Sequence, residues 1–253
     1  MTDPRPHADV PGMKLPTPRT PDPASAPGLR WGLLGAGWIA EQMTIALQGT
    51  SQQVVAVGSR DLGRAQAFVA AHAPGARAHG DYASLVADDE VDVVYVASPH
   101  SEHLEHALLA IGANKHVLVE KPIAPTAAEA AQIAAAAGEA GVYCMEAMWT
   151  RFLPHIDVLR QVLDAGLLGE VSTVLADHSI QLWPDGPERL ADPDLAGGAM
   201  LDLGIYPLSF ASLCLGGITS ATGLGSLTDR GVDRRLAWVC LLYTSDAADD
   251  MQC

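Results

Sequence analysis

Positive charge is scarce in this chain. Lysine occurs only at Lys14, Lys115 and Lys121, and fifteen basic residues face thirty acidic ones, for a formal charge of −15. Such a balance excludes a surface built for nucleic acid or for an anionic membrane, so any phosphate-bearing ligand has to be held by local geometry. Cysteine is scarce too. Cys144, Cys214, Cys240 and Cys253 form no C-x-x-C pair and keep no regular spacing, which argues against disulfides and structural zinc and for a reducing compartment. No apolar run reads as long enough to span a bilayer and no basic-then-apolar signal leads the chain, so the expected location is the cytoplasm.

Apolar residues, by contrast, make up 49% of 253 residues, enough for one large domain or two ordinary ones. Residues 1–28 hold eight of the seventeen prolines and read as a disordered leader outside the fold. From Arg30 onward strands and helices alternate. Strands are expected at 31–34, 53–57, 91–97, 117–119 and 142–145, with helices at 38–47, 62–71, 102–111 and 126–140. The last helix opens on the capping box Thr126-Ala127-Ala128-Glu129. Continuous apolar strands separated by helices imply an α/β unit, a doubly wound parallel sheet covered on both faces, over residues 29–147.

The pattern then changes. Residues 152–163 are amphipathic, 171–180 alternate like a strand with one wet face, 200–215 form a strongly apolar helix, and 218–227 and 236–242 read as two more strands. Residues 148–239 are therefore expected to form a second, α+β domain. Cys240 to Asp250, C-L-L-Y-T-S-D-A-A-D-D, matches the translation in one frame of a common sequencing-library transposon adapter. Residues 240–253 are accordingly read as a non-native tail on a gene cut off near Val239.

Gly35-Ala36-Gly37-Trp38-Ile39-Ala40 follows a strand and opens a helix, the setting in which G-x-G-x-x-G/A signals dinucleotide binding. Gly35 makes the turn, Gly37 lets the backbone approach a pyrophosphate, and Ala40 lets helix and strand pack closely, while the helix N-terminus attracts the anion. At the end of the second strand Ser59 stands where an NAD site usually places its ribose carboxylate. Arg60 and Arg64 suit a 2′-phosphate, so NADP is expected rather than NAD, with Asp61 as ribose carboxylate the alternative.

Ser98-Pro99-His100 ends a further strand on the same sheet edge and is expected to border the cofactor. His100, His103 and His106 do not share one helix face, so no metal is expected. Glu120 and Lys121 close the apolar run His116–Val119 just before Pro122, which presents an ammonium group toward a cofactor. In Gly197–Tyr206, Asp202 and Tyr206 lie four apart on one helix face with Gly204 between them. A phenol beside an ammonium is suited to accept and return a proton.

With G-A-G-W-I-A, V-E-K-P and G-G-A-M-L-D-L-G-I-Y-P in this order, the chain from Arg30 to about Leu227 resembles the Gfo/Idh/MocA oxidoreductases. E-A-M-W-T-R-F-L-P and the tyrosine at 206 resemble the branch of dimeric dihydrodiol dehydrogenases and NADP-linked xylose dehydrogenases. The resemblance implies a Rossmann domain followed by a domain with an open, mostly antiparallel sheet that forms a homodimer or higher homo-oligomer. That sheet is expected to be incomplete here, leaving a chain prone to aggregate or to be inactive. It implies further that Lys121 is catalytic, Tyr206 exchanges the proton, and Asp202 is the carboxylate beside them. Arg60 and Arg64 become the basic pair at the 2′-phosphate, and Trp149 and Arg151 lie near nicotinamide and substrate. The expected reaction moves hydride between NADP and a hydroxyl or carbonyl of a sugar, such as an aldose, or of a cyclic diol. The alternatives are a non-catalytic dinucleotide sensor, which needs neither Lys121 nor Tyr206, and an NAD-dependent glycoside hydrolase of the wider family.

Overall fold

A computed structural model describes residues 14–181 and 185–243. Its first unit runs β1 (Arg30–Leu34), α1 (Trp38–Leu47), β2 (Gln53–Gly58), α2 (Leu62–His72), β3 (Arg77–His79), α3 (Tyr82–Val86), β4 (Val93–Val96), α4 (His103–Gly112), β5 (His116–Val119), α5 (Ala127–Ala140) and β6 (Cys144–Glu146). All neighbouring strands pair in parallel, in the order β3-β2-β1-β4-β5-β6. This is the doubly wound sheet expected from the apolar runs. The order in which the chain adds strands reverses at β1 and β4, and ligands of such sheets bind in the crevice at the strand ends there.

The central strands show why the sheet forms. Val93, Val94, Tyr95 and Val96 are all buried, as a strand covered by helices on both faces requires. Burial of each valine side chain contributes about 1.5–3 kcal/mol. The helices are fixed at their starts by local polar chemistry. Asp61 caps α2 by accepting from the amides of Gly63 and Arg64, Asp81 caps α3, and Thr126 and Glu129 close both halves of a capping box on α5.

The second unit follows with a 3-10 turn at Trp149–Phe152 and α6 (Pro154–Asp164). After short 3-10 turns at Glu188–Ala191 and Pro193–Leu195 come a single π turn at Met200–Gly204, α7 (Ile205–Leu215), β7 (Gly217–Leu227) and β8 (Asp233–Tyr243). β7 and β8 form an antiparallel pair.

Three expectations are revised. Residues 171–180 form no strand, since among the described residues the second sheet consists of β7 and β8 alone. The strand expected at 236–242 forms as β8. β8 continues through Cys240–Tyr243 against Gly217–Ala221, while residues 244–253 lie outside the described residues. The run Pro193–Leu215 is long and apolar enough to cross a membrane, contrary to the sequence reading, but it is broken by Ala196 and Gly198 at positive φ and keeps Asp202 buried within the fold. Finally, residues 14–28 are laid along the folded body. Arg19 grips Asp157 of α6 with both its backbone N–H and its guanidinium, at 2.6 and 2.7 Å, and Gln161 donates to the carbonyl of Thr17. Farther on, Ser51 and Gln52 donate to the carbonyls of Ala26 and Pro27.

Candidate functional site

The two glycines of the first turn differ in what surrounds them. Gly35 sits at φ +113°, and a Cβ there would lie 2.8 Å from the carbonyl oxygen of Ala97 at the end of β4. Gly37 caps α1 and has nothing within 4 Å of its would-be Cβ. The first glycine therefore lets the turn press against the neighbouring strand. The second leaves open space over the N-terminal amides of α1, the kind of cradle that admits a diphosphate. Ala40, in the first turn of α1, is fully buried and Trp38 is exposed beside the opening. These residues fit a bound dinucleotide.

At the end of β2, Ser59 is buried and its hydroxyl accepts from the amide of Asp61. Asp61 caps α2 through Oδ1, which accepts from the amides of Gly63 and Arg64 at 2.8 and 3.3 Å. Arg60 is largely exposed and pairs with Glu102 at 2.8 Å, so a phosphate at this edge competes with that carboxylate for the guanidinium. Ser98 binds two histidines, its hydroxyl to Nδ1 of His106 at 2.9 Å and its carbonyl to Nε2 of His103 at 3.0 Å. The other nitrogen of His103 lies 2.8 Å from the carbonyl of Pro122. His103 thus ties the strand-end loop after β4 to the loop that holds Lys121. His100, expected at the cofactor edge, is only 4% exposed. It reaches the carbonyl of Ala196 with Nδ1 at 3.1 Å, which places it between the two units. Burial pushes its pKa down to about 4 and lowers His103 and His106 as well.

Glu120, at the end of β5, accepts from the Tyr95 hydroxyl on one oxygen and from the Lys121 amide on the other, at 3.0 Å. Burial raises its carboxyl above the usual carboxylate range, and its hydrogen bond from Tyr95 opposes the rise. Lys121 then projects toward the second unit. Its Nζ donates to the backbone carbonyl of Asp202 at 2.7 Å, lies 3.4 Å from Oδ1 of the same residue, and sits 5.1 Å from the centre of the Tyr206 ring. The ammonium therefore lies over the phenol face and not at its hydroxyl. The Tyr206 hydroxyl accepts from Nε1 of Trp149 at 3.1 Å.

Lys121, Trp149, Arg151 and Tyr206 line one cleft of about 700 Å³, with apolar walls from Leu175, Leu203 and Phe210. Asp202 lies behind Lys121, where the π turn gives its carboxylate a buried seat. The Gly-Gly pair before it is required by packing. A Cβ on Gly197 would lie 2.6–2.8 Å from the carbonyls of Leu190, Arg189 and Asp192, and one on Gly198 would meet the Asp233 carboxylate at 2.1 Å. Asp233 in turn accepts from the Met200 amide at 2.6 Å. Two residues near this centre escape the sequence reading. Arg189 reaches Oδ1 of Asp202 at 3.4 Å, and the His178 ring packs edge-on to Tyr206 at 5.0 Å.

Comparison with known proteins gives the same picture. Residues 29–148 match the model of the "Oxidoreductase family, NAD-binding Rossmann fold", and residues 156–250 match the "GFO/IDH/MocA C-terminal domain". The trans-1,2-dihydrobenzene-1,2-diol dehydrogenase of Bos taurus is 38% identical over 231 residues, 89% of this chain and 68% of that protein. Its counterpart in Danio rerio is 39% identical over 213 residues, 82% of this chain and 63% of that protein. Among solved structures, a 3-ketoreductase from Actinomadura kijaniata in complex with NADP and TDP-benzene superposes with a TM-score of 0.73 at 31% identity, covering 85% of this chain and 67% of that one. The chain thus spans about two thirds of the length of these relatives.

Proposed function

The chain belongs to the Gfo/Idh/MocA family of oxidoreductases, and on that footing we propose that it carries the cofactor and proton-transfer groups of an NADP-dependent dehydrogenase acting on CH–OH groups. The substrate class is a sugar such as an aldose or a trans-dihydrodiol, the latter favoured by the names of the similar dehydrogenases. The observation that carries this reading is the meeting of Lys121 from the first unit with Asp202 and Tyr206 from the second, at one end of an apolar cleft.

The cofactor, when bound, supplies the hydride acceptor. Everything else falls to side chains. Tyr206 takes the proton of the substrate hydroxyl as the C–H electron pair leaves the same carbon, and returns it in the reverse direction. The indole N–H of Trp149 holds the phenol oxygen at the cleft. Lys121 donates to the substrate oxygen and orients it, and Asp202 steers the ammonium. Leu203 and Phe210 give the cleft an apolar wall. Gly37 and the α1 N-terminus take the diphosphate, and Arg60 and Arg64 the 2′-phosphate. NADP over NAD is supported by Ser59 in the carboxylate position and by the NADP held in the structural relative. The apolar residues exposed on β7 and β8 support a homodimer through that face.

The test is NADPH formation with aldoses and dihydrodiols. Lys121→Met and Tyr206→Phe each lower turnover by about a hundredfold or more, while NADPH binding followed by fluorescence persists. Undiminished turnover in both variants removes these roles, and a clear NAD preference refutes the cofactor assignment.

A further inference from the structure

Asp202 has two cationic partners. Lys121 Nζ and Arg189 Nη2 each lie 3.4 Å from the same oxygen, Oδ1, and the carboxylate itself is 10% exposed. Arg189 is fixed in this position from behind. Its carbonyl and that of Leu190 crowd the would-be Cβ of Gly197 at 2.7 and 2.6 Å, and the Gly198 amide donates to the Leu190 carbonyl at 2.9 Å. A side chain at 197 would push the Arg189 turn away from Asp202. The Gly-Gly pair thus docks the arginine as well as opening the π turn.

We infer that Arg189 is a positioning residue that shares the Asp202 carboxylate with Lys121, so that the lysine is steered by Asp202 without being immobilised in a closed ion pair. This rests on the reading of Lys121 as the group that orients the substrate oxygen. An ammonium paired solely with a partly buried carboxylate is held both by charge and by hydrogen bonds. A second cation on the same oxygen divides that hold. Removing the arginine leaves Asp202 to Lys121 alone, so the amine is held more tightly and is less free to react. The other titratable groups around the ammonium are Glu120 after β5, Tyr206 on α7, His100 before α4 and His178 in the segment beside the cleft, and the charge of Arg189 also acts on Glu120 and His100.

The presence of only three lysines makes the effect measurable without turnover. The full-length chain is acylated briefly at fixed pH near neutrality, and modification of Lys121 is quantified by mass spectrometry relative to Lys14 and Lys115 in the same sample. In Arg189→Gln, Lys121 reacts about threefold more slowly than in the parent, and Arg189→Lys restores most of the parental ratio. An unchanged ratio overturns the inference. So does a rise in Lys121 reactivity, which is what loosening of the turn or loss of the fold produces. Because labelling is independent of catalysis, this result stands apart from the Lys121→Met turnover test. Normal turnover in Lys121→Met sinks the functional reading even where the labelling ratio falls as expected.

Discussion

His100, His103 and His106 are bases that the fold keeps neutral, chiefly by burial. In the unfolded chain each takes up a proton near pH 6.5, whereas folded His100 does so only at about 4. The unfolded state therefore binds more protons across that window, and stability present above about 6.5 is lost as the pH falls toward 4. For His100 alone the full loss is on the order of 3 kcal/mol. Glu120 acts in the opposite direction. Its raised carboxyl makes folding cheaper in acid and dearer as the pH rises through its folded value, but it is one group against three. Urea unfolding midpoints are expected to fall steadily from pH 7 to pH 5, with a flatter profile in His100→Phe. Equal midpoints across that range in the parent would contradict the assignment. The meeting of Lys121, Asp202 and Tyr206 was readable at this scale, because the three sit in short motifs whose residue types are unusual for their position. Arg189 and His178 were not readable. One lies in an irregular polar loop and the other in a stretch whose alternation suggested only a strand, and a contact with a residue thirteen or twenty-eight positions away leaves no periodic trace.

The cofactor turn divides its tasks between two glycines, and this can be tested on the element as a whole. Gly35→Ala forces a left-handed φ onto alanine and drives its methyl toward the Ala97 carbonyl, for a cost of about 1–3 kcal/mol. The melting temperature should drop by several degrees. Gly37→Ala meets no atom of the protein, so the melting temperature should hardly move while NADPH affinity falls by about tenfold or more. Equal effects of the two substitutions on stability would show that the space over Gly37 has no special use. The long apolar runs of β1, β2, β4 and β5 were legible because burial on both faces leaves a continuous hydrophobic stretch. β3 and α3 were not. They are three and five residues long, shorter than any period can declare itself, and β3 bears Arg77 and His79 that serve Asp88 on the far side. Residues 171–180 misled for the converse reason. Alternation marks a segment able to pair, but only a neighbouring edge makes it a strand.

For the molecule as a whole, the β7–β8 pair is the weak point. β7 is exposed along its entire length, and Ile218, Leu224, Leu227, Val239 and Leu241 on the two strands are open to solvent. A long hairpin with unpaired edges and bare apolar side chains is a template for association. The chain is expected to sediment as dimers or larger species, and Leu224→Lys combined with Leu241→Lys should shift it toward monomer. A parent that stays monomeric at micromolar concentration would argue that the hairpin is covered in some other way. The sequence indicated a second unit with an incomplete sheet, but it could not tell how few strands would share the ladder.

The same molecule ties the segment around Arg19 to a distant partner. Arg19 is joined to a carboxylate 138 positions later in the chain, on α6 of the second unit. During synthesis at about 5–20 residues per second, the leader waits on the order of ten seconds before that partner has been made. For most of this time the first unit is still being made, since its last strand ends at Glu146, shortly before Asp157. The prolines of residues 14–28 then take on a second meaning, since a segment poor at extending a helix or joining a sheet edge does little harm while it waits. A segment made before both units finds its place only once the second has begun to form.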